Sequence, residues 1–390
     1  MNKLTSPIRI PLYYVRGGTS TGVVLLQKNL PEKKELKEEI LRHIFGVPLT
    51  EKNVDNNKQL HGLGRETTTS NKAFIIDIDY ESKKVISNFA QLESNSNSVS
   101  WSVNCGNMTS SIPLVIIDLL EHELLMPDGK LEIYNVNTNK NILCTMKNIL
   151  PRYQLCCIPG IMGYFPEVNV SFKDPECSKT KSLFPTGNVT DEIYGITVTC
   201  IDLAVPMIII SAESLGLTGY EKINEIESNK SLQELILEIR MNMGVKMGIT
   251  KENGEVMNEL DLKKSITQPK IAIISRPRYG GDINIRYLTP KSVHSSIAVS
   301  GGCCLAAACC LSGTVASKIY HPHKINDNSG AIIRIEHLSG ISDFSIIHNG
   351  EHIEYASVKR NAQILMKGDF FIYNPSNELA DFMSHYSINS

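Results

Sequence analysis

No run of apolar residues in this sequence is long enough to cross a membrane, and the opening Met1–Ile10 (MNKLTSPIRI) has no apolar stretch of the kind a secretory signal carries. A soluble, cytoplasmic protein is expected. No block of lysine and arginine occurs either. The 39 basic residues are balanced by 41 acidic ones, for a net charge of −2, so bulk charge selects neither nucleic acid nor an anionic membrane as partner. The ten cysteines contain no C-x-x-C pair, which removes the usual signature of a zinc ribbon or a thioredoxin-like site. Three pairs, Cys156–Cys157, Cys303–Cys304 and Cys309–Cys310, are adjacent in sequence, a poor geometry for a disulfide framework. Histidines are scattered, and the His321-Pro322-His323 cluster is too isolated to hold a metal. A structural metal is not expected.

What is present is globular in composition, with 42% hydrophobic and 21% charged residues. At 390 residues the chain exceeds one ordinary core, so two domains of about 190 residues each are expected. The turn-rich Leu183–Asp191 (LFPTGNVTD) marks the edge between residues 1–188 and 189–375. The last residues, 376–390, are expected to complete the first domain.

The first half reads as strand, Gly-rich turn and strand over 8–26, then a helix with Leu36, Ile40, Leu41 and Ile44 on one face and Gly46 as its stop. Lys72–Tyr80 reads as a strand, and short extended runs dominate 131–170. In the second half, Leu232, Leu235, Ile236 and Ile239 mark an amphipathic helix. Strands follow in KIAIISRP and INIRYLTP, then a helix in GGCCLAAACCLSG, and a β meander closes the chain. Each half thus contains a turn bearing Cys and Gly that opens a helix of small, apolar residues: NCGNMTSSIPLVIIDLL and SGGCCLAAACCLSGTVA. Two β-rich units, each wrapped around a buried helix, would bring both helix starts to a shared cleft. Free N–H groups there suit a ligand with two or more carboxylates.

Several residues could do chemistry in such a cleft. Cys105 stands at a helix start, where a thiolate is favoured, and is either a working group or an inert buried cysteine. Cys303 and Cys304 occupy the matching turn of the second half. Lys72 heads an apolar strand behind four hydroxyl residues. Partly desolvated, it would serve as a general base or acid; exposed at a strand end, it would not. Arg16–Gly22 (RGGTSTG) offers a cation, glycines and hydroxyls in one turn but lacks the spacing of a Walker A loop. It is either an anion cradle or a plain hairpin. Asn188 and Thr186 would bind a carboxylate or cap their own loop.

Taken in order, YVRGGTSTGV, GLGRETTTSNKAF, VNCGNMTSSIP, LFPTGNVTD, VTCIDLAVPMIIISAESLGLTGYE, QPKIAIISRP, HSSIAVSGGCCLAAACCLSGTVA and AQILMKGDFFIY resemble the PrpF family of 2-methylaconitate isomerases. Related methylitaconate and aconitate isomerases and an oxalomesaconate tautomerase belong to the same family. The resemblance implies an α+β, diaminopimelate epimerase-like fold. In it, two similar domains, each a barrel-like and mostly antiparallel sheet around a central helix, hold the active site in their cleft. It also implies cofactor-independent proton transfer on an unsaturated di- or tricarboxylate, the expected small-molecule partner; a homodimer is left open. Its catalytic lysine falls on Lys72 and its NCGN cysteine on Cys105. Carboxylate contacts fall on Thr19, Ser20, Gly106, Asn107, Gly187 and Asn188 in the first half. His294, Gly301, Gly302, Ser339 and Gly340 are their counterparts in the second, and Arg65 and Cys303 complete the expected set. The sequence departs from the family at Thr21, where a lysine is usual, at Arg65, where a glycine is usual, and at Asn71 and Leu338, where a serine and a proline are.

The chemistry expected is removal of an allylic proton to give a dienolate and its return at the other allylic carbon, or a cis–trans outcome through bond rotation or a second acid, with Lys72 first as base and Cys105 as partner or positioning group. Two rival readings are an amino-acid epimerase or racemase using Cys105 with Cys303 or Cys304, and a carboxylate-binding protein without turnover.

Overall fold

The computed structural model describes residues 7–50, 53–67, 69–102, 104–147, 153–251, 253–290, 292–322, 330–350 and 352–386. His323 and residues 387–390, named in the sequence reading, lie outside them. The first half carries strands β1 (Ile8–Gly17), β2 (Ser20–Leu26), β3 (Lys72–Asp79), β4 (Lys84–Leu92), β5 (Val99–Ser100), β6 (Lys130–Asn135), β7 (Lys140–Thr145), β8 (Leu155–Ile158) and β9 (Ile161–Lys173). Its helices are α1 (Lys34–Phe45), α2 (Gly106–Thr109) and α3 (Ile112–Asp118). The second half carries β10 (Asp191–Ile193), β11 (Ile196–Asp202), β12 (Pro206–Ser211), β13 (Lys270–Ser275), β14 (Ile283–Leu288), β15 (Ala331–His337), β16 (Gly340–Asn349) and β17 (His352–Ile372). Helices α4 (Ile223–Ser228), α5 (Lys230–Met247), α6 (Glu259–Lys264), α7 (Val299–Cys310), α8 (Val315–Ile319) and α9 (Asn377–Tyr386) complete the order.

These strands join one mixed, hydrogen-bonded network, and the two halves repeat one pairing pattern. In the first, β1 is antiparallel to β2, β2 parallel to β3, β3 antiparallel to β4, β4 parallel to β6 and β6 antiparallel to β7. In the second, β11–β12, β12–β13, β13–β14, β14–β15 and β15–β16 run through the same alternation of antiparallel and parallel pairs. The halves are joined through β17. Its first part pairs with both β16 and β9, and residues 362–372 pair with β1. Since β7 pairs with β9, the first-half pairings return to β1 as a ring.

Burial explains the layers. The central helices α2–α3 and α7 lie within one continuous apolar core that also takes the inward faces of the strands, from Val15 and Phe74 to Ile285 and Phe344. α7 consists largely of Gly, Ala and Cys and is buried on nearly every side, as an enclosed helix must be. On the outer face of β1–β3, α1 buries Leu36, Ile40, Leu41, Ile44 and Phe45, and α9 adds Leu379 and Met383 to the same cluster. α1 ends on Gly46, whose φ of 66° closes the helix with N–H bonds to Arg42 and His43. α5 covers the outer face of β11–β13 through Leu232, Ile236 and Ile239. No helix among the described residues is long and apolar enough to cross a membrane.

The helix read as continuous from NCGN to DLL is divided. Ser110 and Ser111 separate α2 from α3, their hydroxyls bonding back to the carbonyls of Asn107 and Met108 at 2.7 Å each. Such back-bonding competes with the regular helical ladder.

Candidate active site

Lys72 is the first residue of β3, 8% exposed. Its Nζ donates to Ser20 Oγ and to Cys105 Sγ, both at 3.2 Å. Cys105 is the residue immediately before α2, in extended conformation. Three segments distant in sequence therefore meet at one amine: the β1–β2 hairpin, the head of β3 and the start of α2. The hairpin lies close to α2 because Gly17 has no side chain. A Cβ there would fall 2.3 Å from the Asn107 carbonyl oxygen.

The pair borders a small cavity of about 70 Å³, and the second half supplies its other wall. Ala298, Val299 and Ser300 at the start of α7 line it opposite Cys105, Gly106 and Asn107, so both central helices begin at this cavity. His294 lines it as well. The Ser296 N–H donates to His294 Nδ1 at 3.0 Å, and burial first, then Lys72 and Lys270, pushes the ring down to about 3. A neutral imidazole with an acceptor Nδ1 keeps its proton on Nε2, a donor.

Two groups here were not anticipated. Lys270, the first residue of β13, lines the cavity, and its side chain makes no hydrogen bond or ion pair among the described residues. Burial, then the charge of Lys72, lowers it to about 7, with Cys105 acting in the opposite sense. Tyr287, 1% exposed, packs edge-on to His294 at 5.9 Å, and its hydroxyl is buried without a partner among the described residues. The Nδ2 of Asn104, which lines the cavity from the first half, is likewise unpartnered. Among the described residues, no aspartate or glutamate lines the cavity. Two lysines, unfilled donors and no carboxylate make a site for a small polyanion. A larger hollow of 510 Å³ shares Ile266 and Thr267 with the cavity lining. There Ser102 and Thr267 are joined at 2.8 Å.

Of the other expected contacts, Thr19 accepts from Asn107 Nδ2 at 3.3 Å, while Arg360 of β17 donates to Asn107 Oδ1 at 3.0 Å. Asn107 is thus held from two sides, and Arg360, 5% exposed, is a further residue the sequence reading missed. Ser339 N–H donates to His337 Nδ1 at 3.2 Å, its hydroxyl bonds the Ser295 carbonyl, and Gly340 packs under Pro159. These residues brace the His294 loop from behind. Arg65 is exposed and lies over the Tyr14 ring at 5.4 Å, away from the cavity lining. Asn188 Nδ2 donates to Asp191 at 3.1 Å in a turn that Lys246 also joins. Gly187 has nothing within 4 Å of where its Cβ would be. That turn caps itself and does not reach the cavity.

The second-half turn needs correction. Gly301, Gly302, Cys303 and Cys304 lie inside α7, which starts at Val299, and so are not the counterparts of Cys105. Ala298 holds that place. A Cβ on Gly301 or Gly302 would strike the Tyr287 ring at 2.3 Å or the Phe344 ring at 2.0 Å, so these glycines admit aromatic packing. Cys303 and Cys304 are fully buried, and burial pushes the Cys303 thiol up to about 12. Neither lines the cavity. A racemase built on opposed thiols lacks its second one.

A family model described as PrpF protein matches residues 7–373. The putative isomerase YbhH of Escherichia coli (strain K12) is 32% identical over 377 residues, covering 93% of this chain and 99% of that protein. The 4-oxalomesaconate tautomerase of Pseudomonas putida is 29% identical, covering 92% of this chain and 95% of its own. Among solved structures, a methylitaconate-delta-isomerase matches with a TM-score of 0.75 at 25% identity, over 95% of this chain and 97% of that one.

Proposed function

The chain belongs to the PrpF family, and from that premise we propose that it is an isomerase that shifts a proton and a C=C bond on an unsaturated di- or tricarboxylate, with Lys72 as the proton-abstracting base. The observation that carries this reading is the Lys72–Cys105 contact at 3.2 Å on the wall of a cavity that has a second lysine and no carboxylate.

The geometry supports the chemistry in steps. A proton on a carbon beside a C=C bond conjugated to a carboxylate is weakly acidic. Removing it spreads negative charge onto carboxylate oxygen, where fixed donors stabilise it. Lys72, flanked by Ser20 and Cys105, is placed to take that proton in its neutral form. Tyr287, Asn104 and His294 offer donors to the carboxylates. The shift is redox-neutral: the proton that leaves one carbon is matched by one that arrives at another. The repeated pairing patterns act in this reading as two domains that close on the substrate. Substrate binding would involve Thr19 and Ser339 only through the Asn107 side chain and the His294 loop that they brace.

Proton NMR in D₂O tests it, with cis- and trans-aconitate, 2-methylaconitate, methylitaconate and oxalomesaconate. The expected result is deuterium in one acid with its double bond moved, and loss of both by at least about 100-fold in Lys72→Ala. Binding of these acids with no exchange in any would make the chain a carboxylate-binding protein and overturn the proposal.

A further inference from the structure

Two arginines, Arg16 of β1 and Arg360 of β17, lie buried near the β1–β2 hairpin, and neither pairs with an acid among the described residues. Arg16 Nη1 donates to the Gly18 carbonyl and to Asn361 Oδ1, both at 2.8 Å. The Gly18 N–H donates in turn to the Asn361 carbonyl at 2.8 Å, so the hairpin turn is pinned to β17. Arg360 reaches instead to the start of α2. Its Nε donates to Asn107 Oδ1 at 3.0 Å and its Nη1 to the Lys359 carbonyl at 2.9 Å. The guanidinium lies 5.7 Å from the centre of the Phe344 ring.

A buried cation without an acid is destabilising, and a plain structural role would be met by an apolar residue. Burial brings Arg360 down to about 10, so it stays charged near neutral pH. Around it are the neutral thiols of Cys156 and Cys303 and the ring of His337, none of them an anion. What the charge does hold is one orientation of the Asn107 amide. A guanidinium has donors only, so the amide oxygen must face it. The nitrogen then faces the hairpin, where Nδ2 donates to Thr19 Oγ1 at 3.3 Å. Nδ2 carries a second hydrogen, and Asn107 lines the catalytic cavity. Gly18, with φ of 52°, leaves room for this arrangement: a Cβ there would overlap Asn107 Oδ1 and come within 3.2 Å of Arg360 Cδ.

We propose that Arg360 is a positioning residue for substrate binding: it fixes the Asn107 amide so that the free hydrogen of Nδ2 is donated to one carboxylate of the di- or tricarboxylate proposed above. Arg360 is not among the residues that line the cavity, and it acts through the amide. Without it the amide is free to turn and present its oxygen, which repels a carboxylate. The guanidinium also polarises the amide, which makes Nδ2 the stronger donor. A carboxylate remote from the reacting carbons is held alike before and during proton transfer, so the effect belongs to affinity and not to the chemical step. The buried charge weakens the fold and is retained for what it does at the cavity.

The inference rests on the isomerase reading, and binding and turnover are measured separately to keep the two apart. Trans-aconitate is titrated by calorimetry into the wild type, Arg360→Met, Arg360→Lys and Gly18→Ala. Turnover of the acids named above is followed by proton NMR in D₂O, and a melting curve is recorded for each protein. Arg360→Met is expected to raise Kd and KM at least about 10-fold, with kcat within about threefold and a melting temperature unchanged or raised. Arg360→Lys, whose ammonium supplies the single donor that Asn107 needs, is expected to return Kd to within about threefold of the wild type. Gly18→Ala displaces the amide with Arg360 in place and is expected to weaken binding as Arg360→Met does, which keeps the test open should Arg360→Met not fold. Four results would overturn the proposal: wild-type affinity in folded Arg360→Met or in Gly18→Ala; Arg360→Lys no tighter than Arg360→Met; a loss confined to kcat; or equal losses of affinity and kcat with a lowered melting temperature, which make the residue structural. Wild-type protein that binds trans-aconitate but turns over none of the acids would sink the isomerase reading and leave the binding comparison to decide this one. Protein that neither binds nor turns over any of them would sink both.

Discussion

At the scale of single residues, the cysteines separate by environment. Cys105 faces a cavity and accepts from an amine, while Cys303 lies within a helix with no exposure. Cys105→Ala is expected to lower isomerisation at least about 10-fold with little change in stability. Cys303→Ala should cost about 1 kcal/mol of stability and leave kcat unchanged. Steady-state kinetics beside urea titration reads both. Two histidines set an acid limit. Burial, then neighbouring cations, lowers His294 to about 3 and His337 to about 4. Both bind protons more weakly folded than unfolded, so their contribution to stability is full above about pH 6.5 and is lost as pH falls toward 4 and then 3. Urea midpoints at pH 7.5 and 5.0 should differ in that direction, and His294→Gln should reduce the difference.

Lys72 was singled out through the family resemblance of GLGRETTTSNKAF, since its own surroundings left a working base and an exposed strand-end lysine both open. Lys270 was not, since QPKIAIISRP reads as an apolar strand with an ordinary lysine at its end. The signal that would have found it is the match of Asn71–Asp77 with Pro269–Ser275, which becomes meaningful only once both are known to start equivalent strands.

Elements depend on close approach. Helix α7 fits inside its sheet because Gly302 leaves room for the Phe344 ring. Gly302→Ala is expected to cost at least about 2 kcal/mol by overpacking, and Phe344→Leu in the same chain should recover part of it. Urea unfolding of the single and double variants measures this. The amphipathic pattern was enough to place α1, α5 and most strands. It did not show the break between α2 and α3, because Ser110 and Ser111 read equally well as small helical residues. It also misplaced the opening of α7. Small residues carry no mark of where a helix starts, and the Gly-Gly-Cys-Cys turn copied the look of Asn-Cys-Gly-Asn without its position.

Across the whole molecule, the cavity exists because two distant segments close on it. The Ser102–Thr267 hydrogen bond and the Asn107–Arg360 contact join the first half to the second at this site. A bound polycarboxylate that touches both lysines would couple them. At about 100 times its Kd, trans-aconitate should stabilise the fold by about 2.7 kcal/mol. Hydrogen exchange should slow together around Cys105 and around Thr267, and slowing on one side alone would contradict a shared site.

The sequence by itself determined the β-rich character of the chain and the two buried helices, because periodicity and turn chemistry are short-range properties; Lys72 and Cys105 stood out only through the family resemblance of their motifs. Only the tertiary structure decided which residues share the cavity. It placed Lys270, Tyr287 and Arg360 at or beside the site, and left Arg65, Gly187, Asn188 and Cys303 out of it. Register, the pairing of β17 with strands of both halves and the depth of a helix within a core are set by contacts far apart in sequence, and no local pattern encodes them.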